Sequence, residues 1–215
     1  MVSCYFMAML KIIDYQFFVD RSEQLIFSCL YVYFLTGFVS SSYSDLDIIN
    51  YLYLVDQTLI LLFLITRRVA TEISLKPKDY VIAVAGTLSP LIATPSTGHN
   101  IFPESGCVFL MLIGIFIHLS AKLTLRRSFG IIPADRGIKA SGPYLFVRHP
   151  MYLGYILVHI SFILSGPNLW NCALFVITWG FYILRIEAEE RLLTQNDHYL
   201  AFQNMTHFRL IPGIY

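Results

Sequence analysis

Charge is what this chain has least of. Asp, Glu, Lys and Arg make up 13% of its 215 residues, where a soluble domain carries roughly a quarter. Hydrophobic residues reach 56% and the mean hydropathy is +0.63, more apolar surface than one soluble core could hide. The net charge of +1 gives no overall basic or acidic character, and no exposed basic face or groove of interleaved basic and aromatic residues can be read, so no nucleic acid partner is expected. There is no GxGxxG, P-loop or GxSxG motif, which excludes a soluble Rossmann-type cofactor domain. The four cysteines, Cys4, Cys29, Cys107 and Cys172, are far apart and form no CxxC. They are read as buried thiols, not disulfides or ligands, and no metal is expected. The N-terminus lacks a basic stretch followed directly by an apolar run and an A-x-A site, so it is not read as a cleaved signal peptide. No repeat, low-complexity tract or long linker is present.

What the chain does have is apolar runs. A bilayer core of about 30 Å takes about 20 residues of helix, with about 17 tolerable. Six segments meet or approach that length, at about 24–40, 49–66, 79–94, 106–125, 150–165 and 168–184. Residues 1–20 are apolar but broken by Lys11, Asp14 and Asp20, and suit an interfacial helix better than a span. With the N-terminus inside, the inner segments 1–23, 67–78, 122–148 and 185–215 hold two, four, six and three Lys or Arg, which is all 15 in the chain. The turns at 40–48, 95–105 and 165–171 hold none. Cationic residues stay on the cytoplasmic side. The expectation is an all-α integral membrane protein of about six transmembrane helices, with both termini cytoplasmic and a cytoplasmic C-terminal helical cap.

Two stretches depart from what a passive bundle needs. The first runs from Gly142 to Gly154, GPYLFVRHPMYLG, where an inner loop enters the fifth span. Pro150 suits the first turn of a helix, whose N–H groups have no internal partner, and the remaining first-turn N–H groups could hold an anion. Arg148 and His149 add a fixed charge and a titratable ring. An Arg–His pair before a membrane helix can equally be a headgroup anchor. The second stretch is RIEAEERLL, residues 185–193, which carries the sixth span out of the membrane. Arg185 and Glu189 share a face, as do Glu187 and Arg191. That pattern alone fits two surface i,i+4 pairs worth a few tenths of a kcal/mol each, although an ionisable group directly after an apolar run usually has a partner or a task. His118 and His159 lie within spans, and lone intramembrane histidines are more often hydrogen-bonded in the bundle than ligands. His99 reads as solvated, while His198 and His207 flank a polar tail expected to pack on the inner face.

Together, RHPMYLG, RIEAEERLL after a helical hairpin, HYLAF and RLIPGIY resemble the isoprenylcysteine carboxyl methyltransferase family, from about residue 128 to 215. SFGIIPADRG, GPYLFVRHP and PGIY look most like its compact, bacterial-type members. The resemblance implies a membrane enzyme that uses S-adenosylmethionine without a Rossmann domain. It divides the chain into N-terminal membrane helices on the acceptor side (1–127) and a methyltransferase core (128–215). It implies cofactor contacts at Arg136, Gly137, Ile138, Lys139, Tyr144, His149, Pro150, Met151, Tyr152 and Glu189. It makes Arg185 the residue that binds the acceptor, and Arg185 and Glu189 the catalytic pair. The implied partners are the bilayer and a lipophilic small-molecule or prenylated acceptor. Transfer to a carboxylate needs no general base, because the nucleophile is already ionised at neutral pH. Two other readings stay open: a membrane reductase on a related scaffold, where RHPxY-like segments recur, and a non-catalytic membrane protein.

Overall fold

The computed structural model describes residues 21–22, 24–40, 47–66, 72–73, 76–96, 101–125, 134–135 and 140–215, with 72–73 and 134–135 described in backbone only. It is helical. In chain order the helices are α1 (Gln24–Ser40), α2 (Ile48–Thr66), α3 (Pro77–Leu88), α4 (Glu104–Leu125), α5 (Pro150–Ser165), α6 (Leu169–Leu193) and α7 (Asp197–Met205). A two-residue antiparallel ladder joins β1 (Glu72–Ile73) to β2 (Ala134–Asp135), a detail that an all-α expectation omits.

Helices α2, α4 and α6 are long and apolar enough to cross a membrane, while α1 and α5 are shorter apolar helices. The predicted segment 79–94 is a 12-residue α-helix that tightens into a 3-10 turn at Ser89–Ile92. Pro90 lies in that turn and has no N–H to continue the α-helical ladder. Its carbonyl instead accepts from the Tyr53 hydroxyl at 2.8 Å.

End-to-end contacts show that α1–α6 alternate in direction. At one end, Asn50 at the start of α2 bonds both ways with the backbone of Ser96. There too Asn171 near the start of α6 holds Thr94, and Ile101 reaches the end of α5 through Leu164. At the other end, Gln24 of α1 bonds the Leu64 carbonyl of α2, and Arg191 of α6 forks onto Asp79 of α3. Every described Lys and Arg belongs to this second end.

The core is aromatic. Tyr53 and Phe162 meet at 4.4 Å between ring centres, with Phe38 and Phe175 against them. Outward faces are apolar as well: Phe109, Phe116 and Val176 are exposed, as expected of helices whose surroundings are hydrocarbon. Helices α4 and α5 cross closely at Gly114 and Gly154. A Cβ on Gly154 would stand 2.6 Å from the Gly114 carbonyl oxygen and 2.7 Å from the His118 nitrogen. The cysteines correct one expectation. Cys107 is buried and Cys172 half-buried, but Cys29 is exposed; all three are free, and Cys4 lies outside the described residues. An apolar outer face accommodates a thiol without burying it.

Candidate active site

The polar end of the bundle is organised by two neighbouring carboxylates on α6. Glu190 is buried and accepts from Arg148 Nε at 2.8 Å, from Arg209 Nε at 2.8 Å, and lies 3.2 Å from His149 Nε2. Arg148 also donates to the carbonyls of Thr206 and His207, both at 2.8 Å. The backbone N–H groups of Arg148 and His149 are taken by the carbonyls of Phe208 and Arg209. The segment after α7 is thus strapped across the entry to α5. Arg148 is a buried structural cation here, not a headgroup anchor.

Glu189 faces the other way. It accepts from the Tyr152 hydroxyl, lies 3.6 Å from His149 Nδ1 and 4.0 Å from Arg185 Nη2. His149 therefore stands between two carboxylates. Burial disfavours its charged form, but hydrogen bonds and charge from Glu189 and Glu190 outweigh that and raise its pKa above the ordinary histidine value. Such opposition between desolvation and close carboxylates is resolved by proximity.

Arg185 is buried one turn earlier on α6. Its Nη1 donates to Thr87 Oγ1 at 2.9 Å, and its guanidinium lies 5.3 Å from the centre of the Tyr152 ring. The alternative of two surface i,i+4 pairs does not hold, although Arg185 and Glu189 still face each other in the interior. Arg185 and Glu189 are side chains only 6% and 18% exposed, and Arg191 pairs with Asp79 at 2.7 Å instead of with Glu187. Gly86 on α3 makes room, since a Cβ there would meet Arg185 Cδ at 3.4 Å and Phe181 Cβ at 3.1 Å.

Arg185 opens onto a small cleft among α2, α3, α5 and α6. Gln57, Thr87, Met151, Tyr152 and His159 are part of its wall. Met151 lines the cleft and also packs on a small separate cluster of Ala121, Tyr144, Tyr199 and Phe202. Within that cluster the Tyr144 hydroxyl is buried without a hydrogen-bond partner among the described residues. Burial pushes its pKa up, and the nearby Glu189 charge adds to this. Pro150 occupies the first turn of α5.

His149, Tyr152, Arg185 and Glu189 are therefore brought together, with Met151 and Pro150 adjoining and Tyr144 on the far side of Met151. Arg136, Gly137, Ile138 and Lys139 lie outside the described residues. Sequence reasoning missed Glu190 and Arg209; Glu190 joins Arg148 to Arg209 across a long stretch of sequence. It also missed Asp79, Gln57 and Thr87, which no local motif marks.

Residues 107–195 match the isoprenylcysteine carboxyl methyltransferase (ICMT) family. The match covers 89 of the chain's 215 residues. The matched segment starts within α4 and runs just past α6, so it contains Tyr144, the His149–Tyr152 run, Arg185 and Glu189, but not the strap at 206–209. Protein-S-isoprenylcysteine O-methyltransferase A of Arabidopsis thaliana is 27% identical over 139 residues, covering 61% of this chain and 66% of that relative. The aligned stretch is thus slightly under two thirds of the relative's own length.

Proposed function

We propose that the chain is an S-adenosylmethionine-dependent membrane methyltransferase that O-methylates a carboxylate of a lipophilic, isoprenylcysteine-like acceptor. One arrangement carries the reading. A buried arginine and a partly reachable glutamate stand on successive turns of α6, on either side of Tyr152, with an intramembrane cleft beyond the arginine. The polar side then receives a water-soluble cofactor while the cleft receives a lipid-like acceptor.

The residues fit such a cofactor in kind. Glu189 is a carboxylate suited to an ammonium group, and the Tyr144 hydroxyl is buried with no hydrogen-bond partner among the described residues. His149, Pro150, Met151 and Tyr152, with Glu189 and Tyr144, would hold it, together with Arg136, Gly137, Ile138 and Lys139. The bound group supplies a methyl on a sulfonium. The protein's own part is positioning. The planar Arg185 fork suits a bidentate grip on a carboxylate, and Thr87 and Tyr152 fix its plane. Alignment of two reactants away from water can supply about 7–11 kcal/mol of a barrier, and no residue need act as a base.

In this reading residues 1–127 supply the acceptor side, and 128–215 form the transfer core. The six helices α1–α6 cross the bilayer with both termini in the cytoplasm. Calorimetric titration of the detergent-solubilised protein with S-adenosylhomocysteine tests the cofactor. Saturable binding is expected, weakened about tenfold or more (~1.4 kcal/mol) in Glu189→Gln. No binding by folded protein would sink the reading, and an unchanged constant in the variant would remove Glu189 from the site.

A further inference from the structure

The cleft beyond Arg185 carries more hydrogen-bonding capacity than an apolar tail could use. On its wall, His159 Nδ1 receives the Trp179 indole N–H at 3.3 Å. An indole nitrogen only donates, so Nδ1 must accept, and the ring's own proton sits on Nε2. Gln57 spends its amide nitrogen on Asp56 Oδ2 at 3.1 Å. A carboxylate only accepts, so this pins the amide's orientation and leaves Gln57 Oε1 over. Tyr155 and Tyr182, each with a hydroxyl, belong to the same wall. None of these four groups forms a hydrogen bond with a described residue. Yet His159 and Gln57 are each 2% exposed, Tyr182 4% and Tyr155 8%. The four polar atoms are not among those sealed from solvent without a partner, so they open onto the cleft with capacity to bond a guest.

They are also held in place beforehand. The His159 ring stacks on Phe175 at 4.2 Å. Tyr155 lies between the Lys122 ammonium, 4.9 Å from its ring centre, and the His118 ring at 5.1 Å. Tyr152, beside Arg185, and His159 are seven residues apart on α5, about 10 Å along a helix that rises 1.5 Å per residue.

We propose that the acceptor is a lipophilic carboxylate bearing a second polar group, a hydroxyl, about 10 Å from the carboxylate, and that His159 and Gln57 are its specificity residues, with Tyr155 and Tyr182 beside them. This takes as its premise that Arg185 anchors the carboxylate. A hydroxyl accepts from the His159 Nε2–H and donates to an oxygen such as Gln57 Oε1. A bare prenyl or alkyl chain does neither and would leave all four groups unmatched. Sites built to hydrogen-bond a substrate hydroxyl reject the analogue lacking it far more strongly than apolar pockets discriminate by size.

The test compares 10-hydroxydecanoate with decanoate, binding to detergent-solubilised protein saturated with S-adenosylhomocysteine. The hydroxy acid should bind the wild type at least about tenfold more tightly. His159→Phe keeps the stacked ring and removes the N–H, and Tyr182→Phe removes one hydroxyl. At least one of them should narrow the ratio while binding S-adenosylhomocysteine as the wild type does, which also reports an intact fold. A wild-type ratio below about tenfold, or a ratio that neither variant lowers, overturns the proposal. Absence of S-adenosylhomocysteine binding by the wild type is a separate outcome, which overturns the cofactor reading and this proposal with it.

Discussion

Arg185 and His149 show how little of a site is contained in a residue's name. Both were legible from the pairing of RHPMYLG with RIEAEERLL, but their chemistry depends on neighbours that only folding supplies. For Arg185 these are Thr87 Oγ1 at 2.9 Å and the Tyr152 ring, which set the plane of the guanidinium. Arg185→Lys keeps the charge and loses the fork. Turnover of an accepted lipophilic carboxylate should fall at least about tenfold, or ~1.4 kcal/mol of barrier, with a much smaller change in thermal stability; equal turnover would exclude a positioning role. His149 carries a pH signature. Its pKa is raised in the folded protein, so its contribution to stability is fully present below the unfolded value of about 6.5 and is lost as pH rises through the folded value. The unfolding midpoint in detergent should decline over that window, and His149→Gln should flatten the decline. Glu190 was invisible as a hub because nothing local distinguishes it from Glu189. Its partners Arg148 and Arg209 come from either side of it in the chain.

At the level of elements, apolar run length located all six helices of the bundle to within a few residues. The misjudged boundary was in the third, where the run 79–94 continues through Pro90 and hydropathy registers no cost for a missing N–H. Helix contacts were less legible. The crossing of α4 and α5 depends on Gly114 facing Gly154, and neither glycine announces its partner. Gly154→Ala would put a methyl 2.6 Å from the Gly114 carbonyl and 2.7 Å from the His118 nitrogen. Overpacking of this kind costs roughly 1–3 kcal/mol, to be read as a lowered denaturation midpoint. Gly37→Ala is the control, since nothing lies within 4 Å of its added Cβ. Equal effects from the two would deny that α4 and α5 pack this tightly.

For the whole molecule, the charge distribution is the feature most legible in the sequence, because the cations lie in alternate segments between the apolar runs. The alternating helices carry it into three dimensions, with Arg21, Lys76, Lys122, Arg148, Arg191 and Arg209 gathered at one end. Orientation is testable in a variant lacking its native cysteines. In intact cells a membrane-impermeant maleimide should label Ser105→Cys, and should reach Gln195→Cys only after permeabilisation. Labelling in the opposite order would invert the topology. The strap across the entry to α5 bears on how such a protein is made. The carbonyls that hold Arg148 lie 58 and 59 residues further along the chain, and at about 5–20 residues per second the ribosome delivers them roughly 3–12 seconds later. Until then Arg148 lacks its strap partners, although Glu190 follows it by only 42 residues. On the proposed topology, insertion of the α5–α6 hairpin precedes closure of the candidate site, and a nascent chain paused in that interval would be anchored in the bilayer yet inert.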